Sequence, residues 1–194
     1  MPRLNLLNVN IPDNYYYVYI RDDNNQQIFK EESDYRFFFS LFEKNLSKVG
    51  LPNHVIVAKN RLNDSVEVLA YCMMPNHFHL LVYQIDENGI KKLMNNIMKS
   101  YSRYFSRKYK SNNQLFEDIY ETSCISSDKQ LLITSRKIHL SPDKWIDYPY
   151  SSLRAYLYDD ATCWMNKDRI SKIYGTAVRY LKFLKKIKKQ PIKI

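Results

Sequence analysis

Apolar and polar positions alternate with different periods along the chain, and each period predicts an element. Residues 14–21 (NYYYVYIR) are rich in aromatic and β-branched side chains and predict a strand. Ser33 offers an N-cap to an amphipathic helix that ends near Gly50. Three more short strands are predicted at 54–59 (HVIVAK), 66–74 (VEVLAYCMM) and 77–84 (HFHLLVYQ). The Pro-Asn turn between the last two favours an antiparallel sheet.

The second half of the chain is dominated by helical periodicity. After Gly89 the apolar positions step by three and four residues as far as Phe105, which predicts a long helix with one apolar face. Asp128 can cap another helix that continues to Pro142. Two C-terminal helices are predicted, at 166–174 and from Thr176 onwards.

Composition narrows the classes of protein that fit this pattern. The 194 residues, 45% of them hydrophobic, suit one compact domain, and a net charge of +10 favours a polyanionic partner such as nucleic acid. Cys72, Cys124 and Cys163 are far apart and form no CxxC pair, so they predict reduced thiols in a cytoplasmic protein. No apolar run has the length of a membrane span, and the first residues lack the pattern of a signal peptide.

The positive charge is concentrated on the long helix and at the C-terminus. No acidic residue occurs between Gly89 and Gln114, and this stretch could contact a phosphate backbone through Lys91, Lys92, Lys99, Arg103, Arg107, Lys108 and Lys110. A solvated helix surface explains the charge about as well. The lysine-rich end, KFLKKIKKQPIKI, could add nonspecific attraction to nucleic acid, or it is simply a solvated terminus.

The stretch MPNHFHLLV, residues 74–82, carries the most specific candidate chemistry. Side chains alternate along a strand, so His77 and His79 project from one face while Phe78 and Leu80 project from the other. Two imidazoles on one face can act as paired metal ligands. The alternative is that both are polar residues satisfied within the fold.

Seven segments in order resemble the single-tyrosine HUH transposases, in particular the branch of REP-associated tyrosine transposases. The resemblance extends from about Tyr15 to Leu157, and MPNHFHLLV is its most specific element. The segments are YVYIRDDNNQQIF, DYRFF, AYCMMPNHFHLLV, SYSRYFSRKY, LFEDIYETS, SRKIHLSP and DYPYSSLRAYL.

The resemblance implies an α+β fold in which helices pack on an antiparallel sheet of four to five strands. We expect a transposase-like domain at 1–160, a helical extension with a basic tail at 161–194, and a homodimer that binds hairpin and single-stranded DNA. In the family the histidine pair, here His77 and His79, helps to hold a divalent metal, Mg²⁺ or Mn²⁺, that polarises the scissile phosphate. A helical tyrosine then attacks that phosphate to form a phosphotyrosine link.

This sequence departs from the family pattern in SRKIHLSP. Lys137 occupies the position of the nucleophilic tyrosine, and Ser141 occupies that of an asparagine expected as the third metal ligand. A protonated amine cannot replace a phenol that attacks and later leaves a phosphodiester, and a serine hydroxyl is a weaker, shorter ligand than an amide. Ile119 also replaces a common arginine. We hypothesise a degenerate relative that binds DNA but has lost tyrosine-dependent cleavage and strand transfer.

Two alternatives stay open on the sequence. Another tyrosine could supply the nucleophile, with Tyr120 favoured over Tyr101 and Tyr104, which also fit as packing residues of the long helix. A protein of another class, an RNA-binding protein with a vestigial histidine pair, would account for the same basic composition.

Overall fold

The computed structural model describes residues 11–21, 26–47, 61–111, 115–116 and 120–186. The elements in these ranges follow the chain as β1 Asn14–Arg21, α1 Glu32–Leu46, β2 Val66–Met74, β3 His77–Gln84, α2 Gly89–Tyr109, β4 Glu121–Ile125, α3 Asp128–His139, a 3₁₀ turn at Trp145–Asp147, α4 Leu153–Tyr158, α5 Asp168–Tyr174 and α6 Ala177–Lys185.

The strands of the described residues form one four-stranded antiparallel sheet in the order β2-β3-β1-β4. The predicted α+β class and antiparallel sheet are therefore confirmed. Strands β1, β2 and β3 have the predicted bounds, whereas the strand predicted at 54–59 lies outside the described residues. In the register of β1 with β3, Tyr19 lies opposite His79 and Arg21 lies opposite His77.

Helices cover both faces of this sheet, and each face has its own apolar core. Val18, Phe78 and Leu80 project into the core formed with α1 and α2. Tyr17 and Leu81 project into the core formed with α3, α4, α5 and α6. This separation follows from the alternation of side chains along each strand, because neighbouring residues belong to opposite layers.

Helix ends differ from the predicted ones by a few residues. Glu31, not Ser33, is the N-cap of α1, because Glu31 and Asp34 form a capping box in which the Asp34 carboxylate accepts the Glu31 N–H at 3.1 Å. Ser127, not Asp128, caps α3, since its hydroxyl accepts the N–H of Gln130. Helix α3 ends at His139 and does not continue to Pro142, and the described part of α1 ends at Leu46.

The two C-terminal helices belong to the same core as α3. Ile170, Tyr180 and Leu184 are all buried there, and the Asn166 N–H donates to the Val68 carbonyl of β2 at 2.9 Å. The division of the chain at residue 160 stays a prediction, and residues 187–194 of the basic tail lie outside the described residues.

A fully buried histidine joins α3 to its neighbours. His139 bonds the Tyr180 hydroxyl through Nδ1 at 2.6 Å and the Ser152 hydroxyl through Nε2 at 2.8 Å. Ser152 in turn accepts the backbone N–H of Tyr71 in β2 at 2.8 Å. Burial lowers the pKa of His139 from its ordinary 6.5 to about 3, so the ring is neutral in the folded chain at neutral pH.

His139 predicts a specific loss of stability in acid. Folding lowers the pKa of His139, so as the pH falls the unfolded chain binds a proton at this residue before the folded chain does. The contribution of neutral His139 to the free energy of unfolding is therefore complete above about pH 6.5 and is lost as the pH falls toward 3. From this residue we expect the free energy of unfolding to fall by about 1.4 kcal/mol per pH unit in that window. When the free energy of unfolding is measured by urea titration at several pH values, its slope against pH should be correspondingly smaller for the variant His139→Gln than for the wild type. Equal slopes in the variant and the wild type would contradict this assignment.

Candidate functional site

Strand β3 brings the two predicted histidines to the face of the sheet that α3 covers. The ring centroids of His77 and His79 are 4.8 Å apart, and the rings are inclined at 77°. His79 is buried, with 7% of its surface exposed, whereas His77 is half-buried. His77 is held by its neighbour in the turn, since its Nδ1 lies 2.7 Å from the Asn76 Oδ1.

Two tyrosines of β1, which the sequence analysis did not single out, complete this surface. The Tyr17 hydroxyl lies 2.7 Å from the Nδ1 of His79, and the Tyr19 ring lies 5.1 Å from the His79 ring and 5.7 Å from the His77 ring between centroids. Burial raises the pKa of both phenols. The alternation within NYYYVYIR was the available signal, because it places Tyr17 and Tyr19 on the histidine side once β1 pairs with β3.

Helix α3 places Lys137 beside His79. The Lys137 Nζ lies 5.1 Å from the centroid of the Tyr17 ring, over the phenol that bonds His79. Burial, the nearby His77 and the charge of Lys137 together lower the pKa of His79 to about 3. Burial also lowers the pKa of Lys137, and the opposing charge of Glu121 in β4 raises it. The site therefore combines neutral imidazoles with a half-buried amine.

The hydroxyl of Ser141 bonds the backbone of α3 and not a side chain of the histidine site. Its hydroxyl donates to the Lys137 carbonyl at 2.9 Å, just beyond the end of α3, and satisfies one of the carbonyls that a helix terminus leaves open. The serine thus has a local role in ending the helix. Its assignment as a metal ligand stays a prediction.

The donor set does not fit the divalent metal that the resemblance implies. Among the described residues, no three His, Cys, Asp or Glu side chains come together as ligands. Mg²⁺ prefers about six oxygen ligands, and imidazole pairs suit later transition metals only when further ligands complete the shell. Here His77 and His79 have the amine of Lys137 nearby in place of a third ligand.

The tyrosines considered as substitute nucleophiles lie elsewhere. Tyr120 and Tyr101 are buried in the core on the opposite face of the sheet, and the Tyr101 hydroxyl donates to the Ile28 carbonyl at 2.7 Å. Tyr104 packs against the same core from α2 and donates to Asp34 at 2.9 Å. None of the three is placed with the histidine pair, and Ile119 lies outside the described residues.

The basic face of α2 is on the α1 side of the sheet, away from the histidines. Six of its predicted DNA-binding side chains are exposed: Lys91, Lys92, Lys99, Arg103, Arg107 and Lys110. Arg103 and Arg107 also line an open groove with a stacked aromatic pair, Phe37 and Tyr104, whose ring centroids are 4.0 Å apart. Arginines beside a partly buried, stacked aromatic pair in an open groove suit a nucleic-acid strand.

Lys108 differs from the other cations of α2. Its ammonium contacts the fully buried carboxylate of Asp34 at 2.6 Å and Glu31 at 2.5 Å, and it also bonds the Tyr104 hydroxyl. The Tyr109 hydroxyl donates to the same Asp34 carboxylate at 2.7 Å. Lys108 therefore joins the start of α1 to the end of α2.

The chain is thus an α+β protein in which α3 places Lys137 beside a histidine pair on one face of an antiparallel sheet. The sequence model of the family described as "Transposase IS200 like" matches residues 40–139, more than half of the chain. The chain belongs to this family, which confirms the predicted resemblance to single-tyrosine transposases.

A solved structure shows the same fold. The chain is similar to the REP-associated tyrosine transposase bound to a REP hairpin, with a TM-score of 0.55 and 11% sequence identity over 81% of this chain and 87% of that chain. At this identity the likeness is one of fold. No curated protein matches the chain. Across the described ranges, none of the helices has both the length and the apolar character to span a bilayer.

We expect Lys108 to stabilise the fold. Replacing it in Lys108→Met leaves the buried Asp34 carboxylate without its nearest cation, so the free energy of unfolding should fall by about 2 kcal/mol. The neighbouring exposed Arg107 is the matched control, and Arg107→Met should change the free energy of unfolding by no more than about 0.5 kcal/mol. Urea denaturation measures both. Equal effects of the two substitutions would show that the Asp34 contact does not stabilise the chain.

Proposed function

We propose that this chain binds hairpin-bearing or single-stranded DNA. Three observations support the proposal: its membership of the IS200-like transposase family, the hairpin bound to its structural neighbour, and the exposed cations of α2. Exposed lysines and arginines can neutralise backbone phosphates and release their counterions. The resemblance also supports a homodimer, which analytical ultracentrifugation of the purified chain would test.

We propose further that tyrosine-dependent cleavage has been lost. The observation that carries this step is Lys137, whose amine lies over Tyr17 beside His79, at the position where the family has its nucleophilic tyrosine. Strand cleavage in this family needs a phenol oxygen that attacks phosphorus and is later displaced when the strand is rejoined. A lysine amine is protonated at neutral pH and cannot form that exchangeable ester.

The loss of cleavage is tested by adduct formation. Wild-type protein incubated with hairpin-bearing single-stranded DNA and Mn²⁺ or Mg²⁺ should give no covalent protein–DNA band on a denaturing gel. The double variant Lys137→Tyr, Ser141→Asn restores the family's residues, and we expect it to regain the band. A covalent adduct with the wild type would overturn the proposed loss.

A second candidate function, an active transposase with a different nucleophile, is favoured by one observation. Tyr19 is a half-buried phenol with its ring next to both histidine rings, and Tyr17 contacts His79 directly. If the wild type forms an adduct, Tyr19→Phe should abolish it, whereas Tyr120→Phe should leave it unchanged because Tyr120 lies in the opposite core.

The α2 surface makes a separate prediction about affinity. The triple variant Lys91→Gln, Lys99→Gln, Arg103→Gln should weaken hairpin binding and lower the slope of log K against log salt by about 2, since each phosphate contact contributes roughly 0.7 to 0.9. Fluorescence anisotropy at several salt concentrations measures both quantities.

The matched control for this triple variant removes three exposed lysines from the other side of the sheet, Lys129, Lys144 and Lys172, and should change the slope much less. Equal slopes for the two triple variants would remove α2 as the binding surface. Equal affinity for hairpin RNA and hairpin DNA would instead support the RNA-binding alternative.

A further inference from the structure

We infer that the histidine centre is an anion site, in which Lys137, the Nε2–H of His79 and the charge of Arg21 hold a DNA phosphodiester without a divalent metal. The inference rests on the proposed DNA binding and names the chemistry of the ligand at this one site.

Within the part of the chain that the structure describes, the Lys137 ammonium has no counterion at hydrogen-bond distance. Among the described residues it makes no hydrogen bond or ion pair, and its close contact is the face of the Tyr17 ring at 5.1 Å. Glu121 faces it from β4 and acts on it only as a nearby charge. A half-buried ammonium suits an anionic ligand, because pairing offsets the free-energy cost of its partial desolvation.

The hydrogen bond of Tyr17 sets the tautomer of His79. The buried phenol needs an acceptor for its O–H, and within the described part of the chain its one hydrogen-bond partner is the His79 Nδ1 at 2.7 Å. Tyr17 therefore donates and Nδ1 accepts, which leaves the ring proton of neutral His79 on Nε2. An Nε2–H can donate to a phosphate oxygen, whereas a metal ion would bind this nitrogen only after the ring proton had moved to Nδ1.

The same reasoning leaves a single imidazole lone pair for a metal. The Asn76 Oδ1 accepts from the His77 Nδ1, so Nε2 of His77 keeps its lone pair. Arg21 lies opposite His77 in the sheet register, and its charge acts on that ring. With the rings in these tautomers, a divalent cation would find one nitrogen lone pair and the repulsion of two nearby cationic side chains, whereas a phosphodiester would be attracted by both.

The charges come from separate elements that the sheet holds together. Lys137 is supplied by α3, Arg21 by the end of β1 and the histidines by β3. Arg21 also hydrogen-bonds the Tyr19 side chain, which keeps it at this end of the sheet. An opposing acid is Glu121, which lies opposite Tyr19 in the register of β4. Among the described residues, the charged side chains that act on the two histidines and on Lys137 are thus Arg21, Lys137 and Glu121.

The first test compares binding of a labelled oligothymidylate to the full chain in EDTA and in Mn²⁺. We expect the two affinities to agree within about twofold, and Lys137→Gln to weaken binding about 3- to 10-fold and lower the salt slope by about 0.7. Lys129→Gln removes an exposed lysine two turns away on the same helix and should bind like the wild type. A tenfold loss in EDTA, or wild-type affinity in Lys137→Gln, would overturn the anion site.

The second test does not depend on DNA binding. Long-range ¹H–¹⁵N NMR of the histidine side chains should show His79 as the Nε2–H tautomer, with resonances that shift on addition of inorganic pyrophosphate in the wild type and not in Lys137→Gln. An Nδ1–H tautomer, or no response to pyrophosphate, would refute the inference. If no form of the protein bound oligothymidylate, the proposed DNA binding would fail, and this measurement would still decide on the anion site.

Discussion

The site depends on how one helix is rotated against the sheet. Ile138 is fully buried in the core beneath α3, and successive residues of a helix turn by roughly 100°, so Lys137 and His139 point to opposite sides of it. His139 is fixed on its side by the hydroxyls of Tyr180 and Ser152, and Ser152 bonds the backbone of β2. These buried hydrogen bonds hold the rotation of α3 and thereby bring Lys137 over Tyr17.

The sheet separates the two surfaces that could meet DNA. The exposed cations of α2 lie on the α1 side, whereas His77, His79 and Lys137 lie on the α3 side. A DNA strand that contacted both surfaces would pass around an edge or an end of the sheet. The two surfaces share no side chain. A substitution among the histidine-site residues on the α3 side therefore leaves the positive charge of α2 unchanged. This independence gives a physical reason why the proposed DNA binding at α2 would survive the proposed loss of cleavage.

Local pattern was enough to predict most of the fold. Short apolar runs bounded by turn residues predicted β1, β2 and β3, with the aromatic and β-branched residues of β1 as a further signal, and the apolar steps after Gly89 predicted α2. Strand β4 was not predicted, because ETSCI has only five residues and three of them are polar. Lys108 was grouped with the DNA-binding cations because a charge pattern along one helix does not show Asp34, which lies 74 residues earlier in the chain.

The histidine pair itself could be read from one strand, but its partners could not. Tyr17 is 62 residues from His79, and their bond exists only because β1 pairs with β3 in a particular register. That register brings an aromatic strand, which the sequence analysis predicted only as a strand, into hydrogen-bond contact with His79. Tertiary pairing thus supplies chemical information that residue types and spacing do not contain.

Lys137 changes the charge of the centre relative to the tyrosine that the family resemblance predicts at this position. A phenol at this position would be neutral, whereas an ammonium brings a full charge into a half-buried space next to two neutral imidazoles. Such a charge opposes the binding of a divalent cation and favours an anion at the same place. In the proposed anion site, the cation that a phosphodiester needs is part of the chain itself. The Lys137 side chain could hold a phosphate there but has no oxygen with which to attack it, so recognition of the DNA strand would be separate from its cleavage.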